Sequence, residues 1–156
     1  MKKLLLYIPH VLAVFITIIF VDSLRYKFTN HPKTERIFNT LNEWAGTLGF
    51  EGLFSHVGLF SQYVIGSAEL VASAFLVLGI LASLRFLQAW GALIAFCVMT
   101  GALFFHLFTP LGVDPNHDGG GLFMVAILVW LSSIALIIIH RQVWLSLVGK
   151  NTSTLS

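Results

Sequence analysis

Few residues in this chain could do chemistry, and their spacing gathers most of them at one place. Glu69 is the sharpest signal, because it stands six residues inside a long apolar stretch, about 9 Å along a helix at 1.5 Å per residue. An ionisable group at that depth in a membrane costs on the order of 2.5–3.5 kcal/mol, so it must face other helices and find a partner. It could carry a proton, hold a ligand, or simply pair with Arg25, Lys27 or His106. Gly66, Ser67, Ala68, Ala72 and Ser73 surround it with small side chains that let helices approach closely. His106, in the last turn of another apolar stretch beside Phe104 and Phe105, has the chemistry of a metal ligand, a hydrogen-bond donor or a proton relay.

The composition says what must position these groups. Of 156 residues 57% are hydrophobic and 10% charged, against roughly 45–50% and about 25% in soluble domains. Mean hydropathy is +0.88. A soluble enzyme, a disordered tail and a nucleic-acid binder are excluded, and the net charge of +2 is not concentrated in a phosphate-holding block. The one cysteine, Cys97, rules out a disulfide framework and a CxxC motif, and its place in an apolar stretch reads as packing.

Four stretches approach the roughly 20 apolar residues that cross a bilayer: 4–21, 63–84, 86–108 and 121–139. They hold one charged side chain, Glu69. The expectation is an all-α integral membrane four-helix bundle forming a single domain over 1–150, with 151–156 a disordered tail. The first stretch is long for a signal peptide and lacks an Ala-x-Ala cleavage site, so it reads as a retained span. Within the first loop, Ile37, Phe38, Leu41, Trp44, Ala45 and Leu48 share one helical face. They predict an additional amphipathic interfacial helix over 34–48, capped by Thr34 and stopped at Gly49.

Four spans put both termini on one side, with Lys2, Lys3, Arg85, Arg141 and Lys150 and no carboxylate. The other side carries Arg25, Lys27, Lys33 and Arg36 among six carboxylates. Counting Lys and Arg favours cytoplasmic termini in a bacterial-type inner (plasma) membrane. This topology collects Asp22, Arg25, Lys27, His56, Glu69, His106, Asp114, His117 and Asp118 at the outer end. Glu69, His106, Arg25, Lys27 and Asp22 are the ligand- or proton-binding candidates, and His56, His117 and Asp118 the candidates for metal.

Residues 114–119 fit D-x-N-x-D-G, the opening of a calcium loop, but the twelfth position is Val125. A turn with Asp118 capping the last span is the expected outcome. A b-type haem needs two facing histidines, and only His106 lies at a suitable depth, so haem is not expected. His10, at the opposite end, reads as a satisfied core group.

Arg25-Tyr26-Lys27-Phe28 after the first span, Gly66-x-x-Glu69-Leu70 and Leu78-Gly79 in the second, Gly101-Ala102-x-x-x-His106 and Asp118-Gly119-Gly120 occur in an order that resembles the DoxX-like family of small four-span membrane proteins. The resemblance runs from about Ser23 to Arg141. It implies a four-helix membrane fold and a redox neighbourhood, since some such proteins are membrane subunits of thiosulfate:quinone oxidoreductase. The expected function is therefore a redox-associated subunit binding a quinone or lipid-like ligand at its outer end, with a membrane or periplasmic redox partner protein. Structural or assembly work without chemistry, and small-ion or proton transport, are the alternatives. Gly91/Ala95 and Ala68/Ala72 offer small-residue faces for a homodimer or for packing within one chain.

Overall fold

The computed structural model describes residues 6–152, and every regular element among them is helical. In chain order these are α1 (Ile8–Phe28), α2 (Pro32–Thr47), α3 (Gln62–Leu78), a 3₁₀ turn (Ala82–Leu84), α4 (Arg85–Phe108), α5 (Gly121–Ile139) and α6 (Arg141–Thr152). Three of them, α1, α4 and α5, are long and apolar enough to cross a membrane, the mark of an integral membrane protein. The fourth apolar helix, α3, has 17 residues. It packs on α1 and α4, α4 packs on α5, and α5 returns to α1.

Boundaries differ from the hydropathy reading in instructive ways. The second apolar stretch was expected to be helical to Leu84, but α3 stops at Leu78 with Gly79 as its cap. The remaining residues make a tight apolar turn, because a side chain on Gly79 would collide with the backbone of Gln88. In the first stretch the helix runs on past Val21 to Phe28, two turns beyond the apolar segment. It ends where Asn30 takes a left-handed φ of 52° and the His31 amide bonds back to the Tyr26 carbonyl at 3.1 Å, a Schellman closure. At the chain's end, 151 and 152 belong to α6 rather than to a disordered tail, and 153–156, like 1–5, lie outside the described residues.

The α2 helix begins slightly earlier than Thr34. His31 is its cap, with Nδ1 accepting from the Lys33 amide at 3.2 Å, and Pro32 occupies the first turn where its missing N–H costs nothing. Its end follows the expected pattern. Gly49 adopts φ 85° and the Phe50 amide reaches the Ala45 carbonyl at 2.9 Å.

Two apolar clusters result. The larger joins α1, α3, α4 and α5 through Ala13, Ile16, Phe20, Ala72, Leu76, Ala92, Ala95, Met99, Ala126, Val129 and Leu136. Gly91 makes the α3–α4 approach close, since a Cβ there would sit 2.9 Å from the Ala72 carbonyl oxygen. The Gly91, Ala95 and Ala72 faces are thus buried within the chain. The smaller cluster, Leu41, Ala45, Phe54 and Leu111 with Trp44 and Phe105 against it, ties α2 and the following loop to the end where α1 and α4 finish. Outward-facing Val11, Ile18, Leu70, Leu128 and Leu131 leave a broad apolar exterior of the kind lipid covers.

Candidate functional site

Between the two clusters lies a cavity of about 660 Å³. Its walls are mostly apolar, with Phe20, Phe38, Phe54, Phe105, Met99 and Ala102 among them. Its polar groups come from five segments: Asp22, Ser23, Tyr26 and Lys27 on α1, Lys33 and Thr34 on α2, Glu69 on α3, His106 on α4, and Asn116 and Asp118 in the loop before α5.

In its wall the Lys27 ammonium stands 3.0 Å from both oxygens of Glu69. The side chains are 13% and 2% exposed, so this is a buried pair. Lys27 also donates to Ser23 Oγ one turn earlier on α1. All three ammonium hydrogens are therefore committed. The Glu69 carboxylate, with about four lone-pair positions, keeps two of them free for other donors. Lys27 is well placed to be the cation, because it lies in the last turn of α1, where the carbonyl end of the helix favours positive charge.

The backbone around the pair is tied down. Gln62 Nε2 donates to the Lys27 carbonyl at 2.8 Å and to Asn30 Oδ1 at 2.6 Å, and the Tyr63 hydroxyl donates to the same Asn30 oxygen at 2.6 Å. The start of α3 is thereby stitched to the end of α1. Gly66 leaves room for the lysine stem, since a Cβ there would come within 3.2 Å of Phe28 and 3.4 Å of Lys27 Cδ.

His106 is buried, and its Nδ1 lies 2.6 Å from the Gly112 carbonyl. A carbonyl only accepts, so Nδ1 is the donor in this contact, and in the neutral tautomer that leaves Nε2 as an acceptor. Asn116 Oδ1 is buried with no partner among the described residues. Glu69, His106 and Asn116 thus give the cavity unspent acceptors, which suit a ligand bearing hydroxyl or amine hydrogens.

The remaining candidates separate. Asp22 reaches the cavity rim, whereas Arg25 points out, pairs with Asp22 at 4.0 Å and lies over the Tyr26 ring. His56 is exposed against Tyr63, and His117 is exposed at a left-handed turn. Asp118 Oδ1 accepts from the Gly121 amide at 3.0 Å and so closes the start of α5. Its own amide donates to Asp114 Oδ1 at 2.8 Å. Desolvation pushes the Asp114 pKa up, but the hydrogen bonds from Asp118, Gly120 and Gly119 outweigh it and hold the carboxyl below its ordinary value. Among the described residues no three His, Cys, Asp or Glu side chains come together as a metal site would require. Cys97 lines the cavity and is exposed, where plain packing was expected.

Sequence reasoning missed Ser23 and Asn116. A signal for Lys27 over Arg25 was nevertheless present. Ala13, Ile16, Phe20, Ser23 and Lys27 recur at three- and four-residue steps, one face of a helix, and Arg25 falls off it. Comparison with family models, with curated proteins and with solved structures finds no match.

Proposed function

We propose that this chain is a four-span membrane bundle, roofed by α2 at the interface, that binds a small amphipathic ligand in the cavity at its outer end. The observation that carries the reading is an apolar space of about 660 Å³ with a buried Lys27–Glu69 pair in its wall. α3 would be the second span, short enough that the loop and α2 complete the bundle above it. Both termini would face the cytoplasm, the side bearing five basic residues and no carboxylate.

The ligand class is a polar ring or head with an apolar tail, which includes quinones and lipid-like molecules. The acceptors of Glu69, His106 and Asn116 fit the hydroxyls of a reduced quinone, and the Lys33, Thr34 and Tyr26 side chains in the same lining are donors for the carbonyls of an oxidised one. In such a complex the chain's residues would bind and orient the head group, with Glu69 and His106 exchanging its protons. The electrons would pass to or from a redox partner protein, the arrangement that the likeness to DoxX-like proteins suggests.

A second reading has its own observation. Every ammonium hydrogen of Lys27 is satisfied within the protein, as expected of a pair whose work is to join α1 to α3 in a structural or assembly protein.

One experiment separates the two. The full chain is purified in mild detergent, and its organic extract is examined by mass spectrometry for wild type, Glu69→Gln and Ala102→Phe. Ala102→Phe fills the cavity and leaves the pair intact. A stoichiometric ligand in wild type that both variants lose supports binding. An empty wild type, with Glu69→Gln less stable and Ala102→Phe unaffected, sinks the ligand reading and supports the structural one.

A further inference from the structure

The opposite end of the molecule holds a second cavity, of about 410 Å³, lined by Leu6, Ile8, Pro9, His10, Arg85, Ile139 and His140. None of the outer-end residues contributes to it. All seven carboxylates of the chain belong to Glu69 or to the outer loops and helix ends. Arg85 therefore has no acidic side chain at its own end to pair with.

Several polar groups at this end are incompletely paired among the described residues, and of them His10 lines the cavity while Gln88 and Trp144 stand outside its lining. His140 Nε2 lies 2.8 Å from Gln88 Oε1. Gln88 is fully buried, yet its Nε2 has no partner among the described residues. His10 Nδ1 is likewise buried without a partner, as is the indole nitrogen of Trp144, packed edge-on to Trp90 at this end. An amide N–H₂ and an indole N–H can only donate. The expectation that His10 would be a satisfied core group does not hold.

The backbone adds to the same polarity. α1 starts at Ile8 and α4 at Arg85, neither has a side-chain cap among the described residues, and neither first turn contains an acid. The dipole of each helix start favours negative charge. Burial first, and then the positive charges of Arg85 and His10, hold the His140 pKa below the ordinary imidazole value.

From this convergence we infer that the cavity bounded by His10, Arg85 and His140 binds a phosphate-class oxyanion. The guanidinium supplies two parallel N–H donors, the geometry a phosphate accepts, and His10 adds a ring nitrogen with no partner among the described residues, while the N–H of neutral His140 is spent on Gln88 Oε1. Leu6, Ile8, Pro9 and Ile139 make an apolar lip beside this basic wall. The shape admits the head of an anionic phospholipid with its first acyl carbons outside, and equally a free phosphate.

The test uses the full chain in two arms. In the first, native mass spectrometry from detergent follows retention of phosphatidylglycerol against phosphatidylcholine. In the second, inorganic phosphate is titrated into the protein in phosphatidylcholine nanodiscs. Binding in either arm at one site per chain, weakened about tenfold or more by Arg85→Gln and unchanged by Arg25→Gln at the other end, is the expected result. The arm that binds identifies the source as lipid or free anion. Arg85→Lys, which keeps the charge and loses the fork, should weaken binding less, and it carries the test if Arg85→Gln does not fold. No binding in either arm, or equal losses for the Arg85 and Arg25 variants, overturns the proposal.

Discussion

Lys27 and Glu69 are 42 positions apart in sequence, and the lysine nitrogen is equidistant, at 3.0 Å, from both carboxylate oxygens. The contact requires α1 to continue two turns past its apolar stretch and α3 to begin at Gln62, so that the two charges reach the same level. It joins the packing of the helices to the chemistry of the cavity.

Breaking this pair from one side should cost much more than removing it whole. Lys27→Met or Glu69→Gln alone leaves a buried polar group with an unmatched partner, a loss of about 3–5 kcal/mol where the charge stays buried. The double variant should regain a large part of it. Thermal unfolding in detergent, assembled as a double-mutant cycle, reads the coupling, and strict additivity of the two losses would contradict it.

Gly66 and Gly91 should respond differently to alanine. At Gly66 the new methyl meets the ring edge of Phe28 at 3.2 Å, a side chain that can yield. At Gly91 it meets the Ala72 carbonyl oxygen and the Leu76 backbone nitrogen at 2.9 Å, which cannot move without separating two helices. Gly91→Ala should be destabilised by about 1–3 kcal/mol, and Gly66→Ala by less. Melting temperatures of the two proteins, measured side by side, decide it.

Cys97 reports on the cavity without any engineering. It is the single cysteine and lies in the cavity wall. Maleimide labelling of the purified protein should slow when an amphipathic hydroxyl-bearing compound such as a quinol analogue is added. Labelling at the same rate in Ala102→Phe as in wild type would show that the thiol is reached from the lipid side instead.

His140 should make stability fall in mild acid. Its folded pKa is lowered, so the fold prefers the neutral ring. The contribution is complete above the ordinary value of 6.5 and is lost as pH falls through the lowered one. The drop in melting temperature between pH 7.5 and pH 5 should shrink in His140→Asn. An unchanged slope would assign the acid sensitivity to other groups.

Hydropathy made the helices legible because it reports the length of apolar stretches, and α4 and α5 lie within a residue of their expected limits. It misplaced the end of α3 because Gly79–Leu81 is a turn made of apolar residues, set by backbone clearance instead of polarity. It ended α1 early because a helix stops where its hydrogen bonds do, at Asn30, and not where lipid does. Glu69 could be found from cost alone, but its partner depended on helix register. Asn116 and Gln88 gave no signal, because an unmatched hydrogen bond exists only once the neighbours are in place.

The close seat of Gly91 on α3 has one more consequence. Where two backbones touch, helices can neither slide nor spread without a large rise in energy, so the α3–α4 seam is stiff. The α2 side is different, resting on the rings of Trp44, Phe54 and Phe105, whose edge-to-face contacts at 5.1 Å and 6.3 Å can re-form after a small tilt. Compliance is thus unevenly shared. A change in the volume of the cavity beneath these rings is met by their tilt, as a hinged cover moves on its box.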